Sequence, residues 1–231
     1  MSTANTTEYH HHTAHHFDSA DAEYRASKLG LWVFLMTEIL MFGGLFVGYI
    51  IYHQKMPETF AAGSKFLDWK LGSLNTVILI FSSLTMALSI YYAQIGKKAM
   101  VLYNLYITFF CGVGFMVVKS IEYSHKIHDG LLPGSLFHHA AEAGSAGVAH
   151  LPIYFSFYFV MTGLHGSHVL VGMGLIAWLI VRAHKGHFGP QYYTPLECVG
   201  LFWHLVDLIW IYLFLSVHFQ NFSNSIQIQH F

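Results

Sequence analysis

Five long apolar runs are the feature that most constrains how this chain can fold. Each is close to the ~20 residues that an α-helix needs to cross ~30 Å of hydrocarbon. Only 10% of the 231 residues are charged, whereas a soluble domain carries about 25%. The pattern therefore predicts an all-α polytopic membrane protein, a bundle of five transmembrane helices. The predicted spans are 29–52, 72–94, 99–121, 153–181 and 197–219.

The remaining residues divide around these spans. We expect a polar, His-rich N-terminal tail at 1–27, a transmembrane domain at 28–222 and a short C-terminal tail at 223–231. The first apolar run is too long for the central segment of a signal peptide, so we expect it to stay in the membrane. The formal net charge of −1 leaves no basic field that would attract nucleic acid.

The N-terminal tail carries a cluster of histidines that could bind a metal ion weakly. Imidazole is the commonest metal ligand in proteins, but a polar tail of this composition is also typical of a disordered segment. The tail histidines are His10, His11, His12, His15 and His16.

The Lys and Arg residues near the span ends indicate the orientation in the membrane, because these residues favour the cytoplasmic side. With the N-terminus in the cytoplasm, six of them lie inside and five lie outside. The C-terminal tail contains neither residue type, which suits the outside. We therefore expect a cytoplasmic N-terminus and an external C-terminus.

Ionisable side chains lie inside three of the apolar runs. Glu38 is in the first span, His165 and His168 are in the fourth, and His204 and Asp207 are in the fifth. At a rise of about 1.5 Å per residue, we expect Glu38, His168 and Asp207 to lie in one layer near the membrane centre. Such groups are costly in lipid, so we expect them to face the bundle interior or another protein.

Spacing alone leaves three interpretations of these buried polar side chains. The first is structural: hydrogen bonds between His and Asp pin the last two spans together. The second is a metal site in which HxxH on one helix faces HxxD on its neighbour. The third is a proton or ion path through Glu38 and the imidazoles.

Four motifs follow one another along the chain: WVFLMTEILMFGGLF (32–46), KSIEY with HDGLLPG (119–134), FVMTGLHGSHVLVG (159–172) and LECVGLFWHLVDLIWIYLFL (196–215). Together they resemble the signature segments of subunit III of the haem–copper oxidases, the cytochrome c and quinol oxidases. With the ionisable residues above, the matching positions are Trp32, Glu122, Tyr123, Thr162, Gly163, Gly166, Glu197, Trp203 and Trp210.

The resemblance implies a non-catalytic subunit of a respiratory, proton-pumping oxidase in a bacterial inner membrane. It implies direct packing on subunit I, which reduces dioxygen, and partnership with subunit II and other small subunits. It also implies lipid binding and support of proton uptake and stability. Haem and copper would lie in the partner subunits, and this chain would hold no metal and no cofactor beyond a structural phospholipid. A respiratory supercomplex is a further candidate assembly.

The resemblance also implies roles for the buried polar residues. Glu38 matches the buried carboxylate of the helix beside the family's lipid cleft. His165, His168, His204 and Asp207 match a polar cluster that ties the last two helices together. The five spans are similar to the bacterial versions rather than to the seven-span form, so lipid-binding residues of the two missing helices have no counterpart.

Two other functions are compatible with the sequence. A stand-alone metal or proton transporter would use the His-rich tail and the intramembrane carboxylates. A subunit III-like accessory protein of a nitric oxide reductase would keep the family but change the complex.

Overall fold

The computed structural model describes residues 20–128, 150–190 and 192–228. Within these ranges the chain forms six α-helices, and five of them are long and apolar enough to cross a membrane. The predicted all-α bundle is therefore confirmed. The histidines of the N-terminal tail lie outside the described residues. The helices are α1 (Ala20–Lys55), α2 (Pro57–Ser64), α3 (Trp69–Gln94), α4 (Lys98–His128), α5 (Leu151–His184) and α6 (Thr194–Ile228).

The long helices extend beyond the apolar runs that predicted them. α1 begins at Ala20, well before residue 29, and α4 continues to His128, past residue 121. The added first turns of α1 have the sequence ADAEYRASK, which is rich in residues that favour helix without being apolar. Hydropathy marks the part of a helix that lies in hydrocarbon, whereas propensity and capping decide where the helix ends.

α2 is a short helix in the connection between the first two spans, and the sequence analysis did not predict it. Pro57 occupies its first turn, a position where proline costs no hydrogen bond. Phe60 is fully buried and meets the rings of Tyr49 and Tyr154 edge-on, with centroids 5.1 and 5.3 Å away. α2 therefore closes one end of the bundle against α1 and α5.

Four of the long helices form a closed ring. α3 packs on α4 and α6, and α5 packs on the same two helices. α1 lies at the edge of this ring, in contact with α5 and α6. Only 22% of its most apolar stretch is buried, against 50% for α6, so α1 presents most of its apolar surface outward.

Trp203 of α6 fills the centre of the ring. Its side chain is fully buried, and its indole N–H donates to Ser82 Oγ of α3 at 3.0 Å. Two glycines on the facing helices, Gly112 and Gly172, leave room for the indole. A Cβ atom at residue 172 would lie 2.8 Å from Trp203 Cε3, so this site requires glycine for close approach.

We expect Gly172→Ala to destabilise the bundle by about 1–3 kcal/mol, because the added methyl group overpacks a core ring that cannot move aside. Gly174→Ala on the same helix is the matched control, since its Cβ would meet nothing within 4 Å. The thermal unfolding midpoint of the detergent-solubilised protein measures the difference. Equal midpoints for the two variants would contradict the packing described for Trp203.

Candidate functional site

Glu38 of α1 and His168 of α5 form a hydrogen-bonded pair across their helix interface. His168 Nδ1 lies 2.7 Å from the carbonyl oxygen of Leu164, which can only accept, so Nδ1 carries a proton. His168 Nε2 lies 2.8 Å from Glu38 Oε2, so one proton lies between these two atoms. The pair is either imidazole with carboxylic acid or imidazolium with carboxylate, and it has no net charge in either form.

His204 of α6 turns away from this pair and toward α3. Its Nδ1 atom lies 2.6 Å from Ser83 Oγ, and the ring is half-buried. This contact joins the same two helices as the hydrogen bond from Trp203 to Ser82. His204 therefore contributes to the α3–α6 interface rather than to the α5–α6 interface that the sequence suggested.

His165 and Asp207 are the most deeply buried of the five ionisable residues, with 1% and 3% exposure. Within the described part of the chain, none of their side-chain nitrogen or oxygen atoms forms a hydrogen bond of normal geometry, although the hydroxyl of Ser83 interacts with the Asp207 carboxyl group. The imidazole of His165 lies beside the rings of Phe115 and Trp210, with centroids 5.5 and 5.2 Å away. His165 and Asp207 therefore do not form the His–Asp hydrogen bond that the structural interpretation of the sequence would need.

The five residues are therefore distributed over several helix interfaces and do not form one cluster. Residues three apart lie about 60° apart around a helix of about 3.6 residues per turn. This rotation is enough for His168 to reach α1 while His165 points into the ring. Among the described residues, His, Cys, Asp and Glu side chains do not gather in groups of three that could hold a metal ion, so the HxxH and HxxD motifs do not form a metal site.

A buried polar cluster that the sequence analysis did not predict joins Lys119, Glu122, Lys126 and Tyr158; of these, only Glu122 was among the residues singled out from the sequence. The two lysine ammonium groups lie 2.8 and 2.6 Å from the two carboxylate oxygens of Glu122. The hydroxyl of Tyr158 donates to the same carboxylate at 2.6 Å and accepts from both lysines. We call these four residues the lysine cluster.

The lysine cluster ties α4 to α5 inside the bundle. Its three charged residues are each less than 8% exposed. One helical turn away, the hydroxyls of Tyr123 and Thr162 form a hydrogen bond between the same two helices. The spacing of Lys119, Glu122 and Lys126 puts them on one helix face, and this signal could have revealed the cluster in the sequence.

A second ion pair lies where α1 and α6 begin. Lys28 Nζ is 3.2 Å from Glu197 Oε2, and both side chains are partly exposed. The hydroxyl of Tyr24 donates to the same carboxylate oxygen at 3.4 Å. These contacts put the N-terminal ends of α1 and α6 at the same end of the bundle.

These features define a multi-pass membrane protein in which several buried polar groups form contacts between helices. Residues 6–222 match the family described as Cytochrome c oxidase subunit III, and the chain belongs to this family. The resemblance found in the sequence is thereby confirmed.

Bacterial relatives have the same extent. The chain is 31% identical over 193 residues to the Cytochrome bo(3) ubiquinol oxidase subunit 3 of Pseudomonas putida, covering 82% of this chain and 84% of that protein. It is 28% identical over 207 residues to the Probable quinol oxidase subunit 3 of Staphylococcus haemolyticus, covering 90% and 95%. The corresponding protein of Staphylococcus aureus is 26% identical over 207 residues.

Membership of this family establishes the general function. The chain is subunit III of a respiratory haem–copper oxidase, a non-catalytic subunit of an oxidoreductase complex. It works with partner subunits in a membrane. This result favours the oxidase over the stand-alone transporter.

We expect Glu122→Gln to destabilise the protein by about 3–5 kcal/mol, because it leaves two buried lysines without a carboxylate. Glu197→Gln is the matched control: it removes the carboxylate of a partly exposed ion pair, and such pairs contribute about 0–1 kcal/mol. Unfolding of both variants in mixed micelles of increasing denaturant content measures the two losses. A cost at residue 197 as large as that at residue 122 would contradict this account of the lysine cluster.

Proposed function

We propose that this chain stabilises the catalytic centre of the oxidase by packing directly on subunit I and by binding bilayer lipid. Subunit II and smaller subunits would complete the complex, with haem and copper held by the partner subunits and a supercomplex as a further level of assembly. The observation that carries this proposal is the peripheral position of α1. Its residues Trp32, Val33 and Leu40 are 55%, 59% and 72% exposed, and such an apolar face suits a partner helix or lipid.

An apolar groove between α1 and α6 supports the lipid-binding part of this role. Its volume is about 350 Å³, and Tyr212 is the only lining residue with a polar side-chain atom. A surface without charged groups suits an acyl chain and gives no basis for selecting a headgroup. The lining residues are Ile39, Phe42, Gly43, Phe46, Val47, Ile50, Leu208, Ile209 and Tyr212.

Support of proton uptake is the second part of the proposed role, and it rests on Glu38 and His168. These residues share one proton between two helices, and their side chains are 13% and 17% exposed. A carboxyl group with an imidazole partner can release and regain a proton with little movement. We therefore assign this pair, rather than the lysine cluster, to the proton-related part of the function.

We expect the tagged chain, extracted from its native membranes in mild detergent, to co-purify with a large haem-containing subunit in equal amount. A reduced-minus-oxidised spectrum of the purified material should be that of an oxidase. Complex prepared without this chain should lose activity faster during turnover, because the catalytic subunit lacks its packing partner. A colourless, solitary protein would overturn the proposed assembly.

We further propose a bacterial inner membrane location with the N-terminus in the cytoplasm. The relatives named above are bacterial proteins. The Lys28–Glu197 ion pair brings together the starts of α1 and α6, as five alternating spans require. In this orientation Lys65 lies outside the cell and Lys185 lies inside.

We expect a cysteine at residue 65 to react with a membrane-impermeant maleimide in intact spheroplasts, and a cysteine at residue 185 to react only after permeabilisation. Both native side chains, Lys65 and Lys185, are exposed, so access depends on the side of the membrane alone. Cys111 and Cys198 would first be replaced by serine to remove background labelling. The reverse pattern would show that the orientation is inverted.

A further inference from the structure

We propose that a groove between α4 and α5, close to the lysine cluster, binds an acidic phospholipid with its phosphate on the ammonium group of Lys119. This proposal goes beyond the function proposed above, which requires only an acyl chain in the separate groove between α1 and α6. It assigns a headgroup-selective site to the opposite pair of helices. Three observations carry it: the charge of the cluster, the shape and polarity of the groove, and the hydrogen-bonding groups that remain available.

The charge of the lysine cluster favours an anion beside Lys119. Two ammonium groups share the single carboxylate of Glu122. Lys126 is attracted electrostatically by a second carboxylate, that of the exposed residue Asp68 at the start of α3. Among the described acidic residues, Glu122 is the only one that attracts Lys119 in this way. An incompletely paired ammonium group in a low-dielectric setting attracts an anion more strongly than one in water.

The groove has one polar end and one apolar end, as a binding site for an amphiphile requires. It has a volume of about 240 Å³, and its polar end contains Lys119, Ser120, Tyr123 and Thr162. This polar end is nearer the C-terminus of α4 and the N-terminus of α5, so the apolar end lies deeper in the membrane. That end contains Phe115, Met116 and Leu170.

Two glycines of α5 keep this groove open. Gly163 and Gly166 both line it. A Cβ atom on Gly166 would meet nothing within 4 Å, and one on Gly163 would meet only the hydroxyl of Tyr123, at 4.0 Å, which is an ordinary van der Waals contact. The glycines therefore do not serve close packing against α4, in contrast to Gly172 on the same helix. They leave a channel beside the polar floor that a headgroup and the start of an acyl chain can enter.

The available hydrogen-bonding groups suit a phosphate with a hydroxylated headgroup. An ammonium group has three protons, and Lys119 donates two of them to Glu122 and Tyr158. The ammonium group also lies over the rings of Trp210, Tyr158 and Tyr123, 5.0, 5.4 and 5.5 Å from their centroids, and its third proton is the one that a phosphate oxygen would accept. The hydroxyls of Ser120 and Ser167 donate to backbone carbonyls within their own helices. Their oxygens can accept from the glycerol hydroxyls of phosphatidylglycerol, which choline cannot supply.

The test uses the intact oxidase complex in nanodiscs that contain equal amounts of phosphatidylglycerol and phosphatidylcholine. Native mass spectrometry of the released complex counts the retained lipids. We expect at least about fivefold preference for phosphatidylglycerol. Lys119→Gln should abolish the preference and Lys119→Arg should keep it. Lys119→Gln leaves Glu122 paired with Lys126, so we expect this variant to fold.

A second pair of variants tests the contribution of the groove to lipid binding separately from that of the lysine charge. Gly166→Leu should fill the groove and lose the phosphatidylglycerol without touching the lysine cluster. Gly174→Leu is the matched control, because residue 174 lies on the same helix in open space outside the groove. Equal retention of both lipids by the native complex would overturn the proposal, as would retention of phosphatidylglycerol by Gly166→Leu. Crosslinking of a Gly166→Cys variant to a partner subunit would show that protein, rather than lipid, occupies the groove and would overturn the proposal.

Discussion

The hydrocarbon layer offers no hydrogen-bond partners, and the rest of the structure depends on this constraint. Several polar side chains within the spans find partners on neighbouring helices, and each such bond fixes how two helices sit against one another. The antiparallel pair of α3 and α6 shows this best, because contacts at successive levels set its register. These contacts are Trp210 with Thr76, His204 with Ser83, and Trp203 with Ser82.

The number of spans and the all-α class could be predicted from the sequence because hydropathy is a local property. Helix ends and the helix α2 could not, since propensity, capping and the burial of Phe60 decide them. The hydrogen-bond partner of Glu38 and the surroundings of His165 and Asp207 were also beyond prediction. They depend on which helices are neighbours and on the rotation of each helix, and neither quantity appears in the spacing of one span.

The lysine cluster was not predicted from the sequence for a different reason. Lys119 and Lys126 lie near a span end, where lysine ordinarily marks the orientation of a membrane protein. The same residues, with Glu122 between them, lie on one face of α4 and turn into the bundle. A lysine near a span end can therefore either mark the orientation of the protein or join two helices inside the bundle. The position of α5, which supplies Tyr158, decides which of these applies here. The glycines of α5 also have two different roles. Gly172 allows the indole ring of Trp203 to approach closely, whereas Gly166 leaves a groove open.

The proton between Glu38 and His168 has an electrical consequence. Both forms of the pair are neutral overall, but they differ in dipole moment, because one separates charge across the hydrogen bond and the other does not. The pair therefore responds to a field as a dipole, without the cost of an isolated charge at the membrane centre. A transmembrane voltage, or a charge on a neighbouring subunit, can bias where the proton lies along the 2.8 Å between the two side chains.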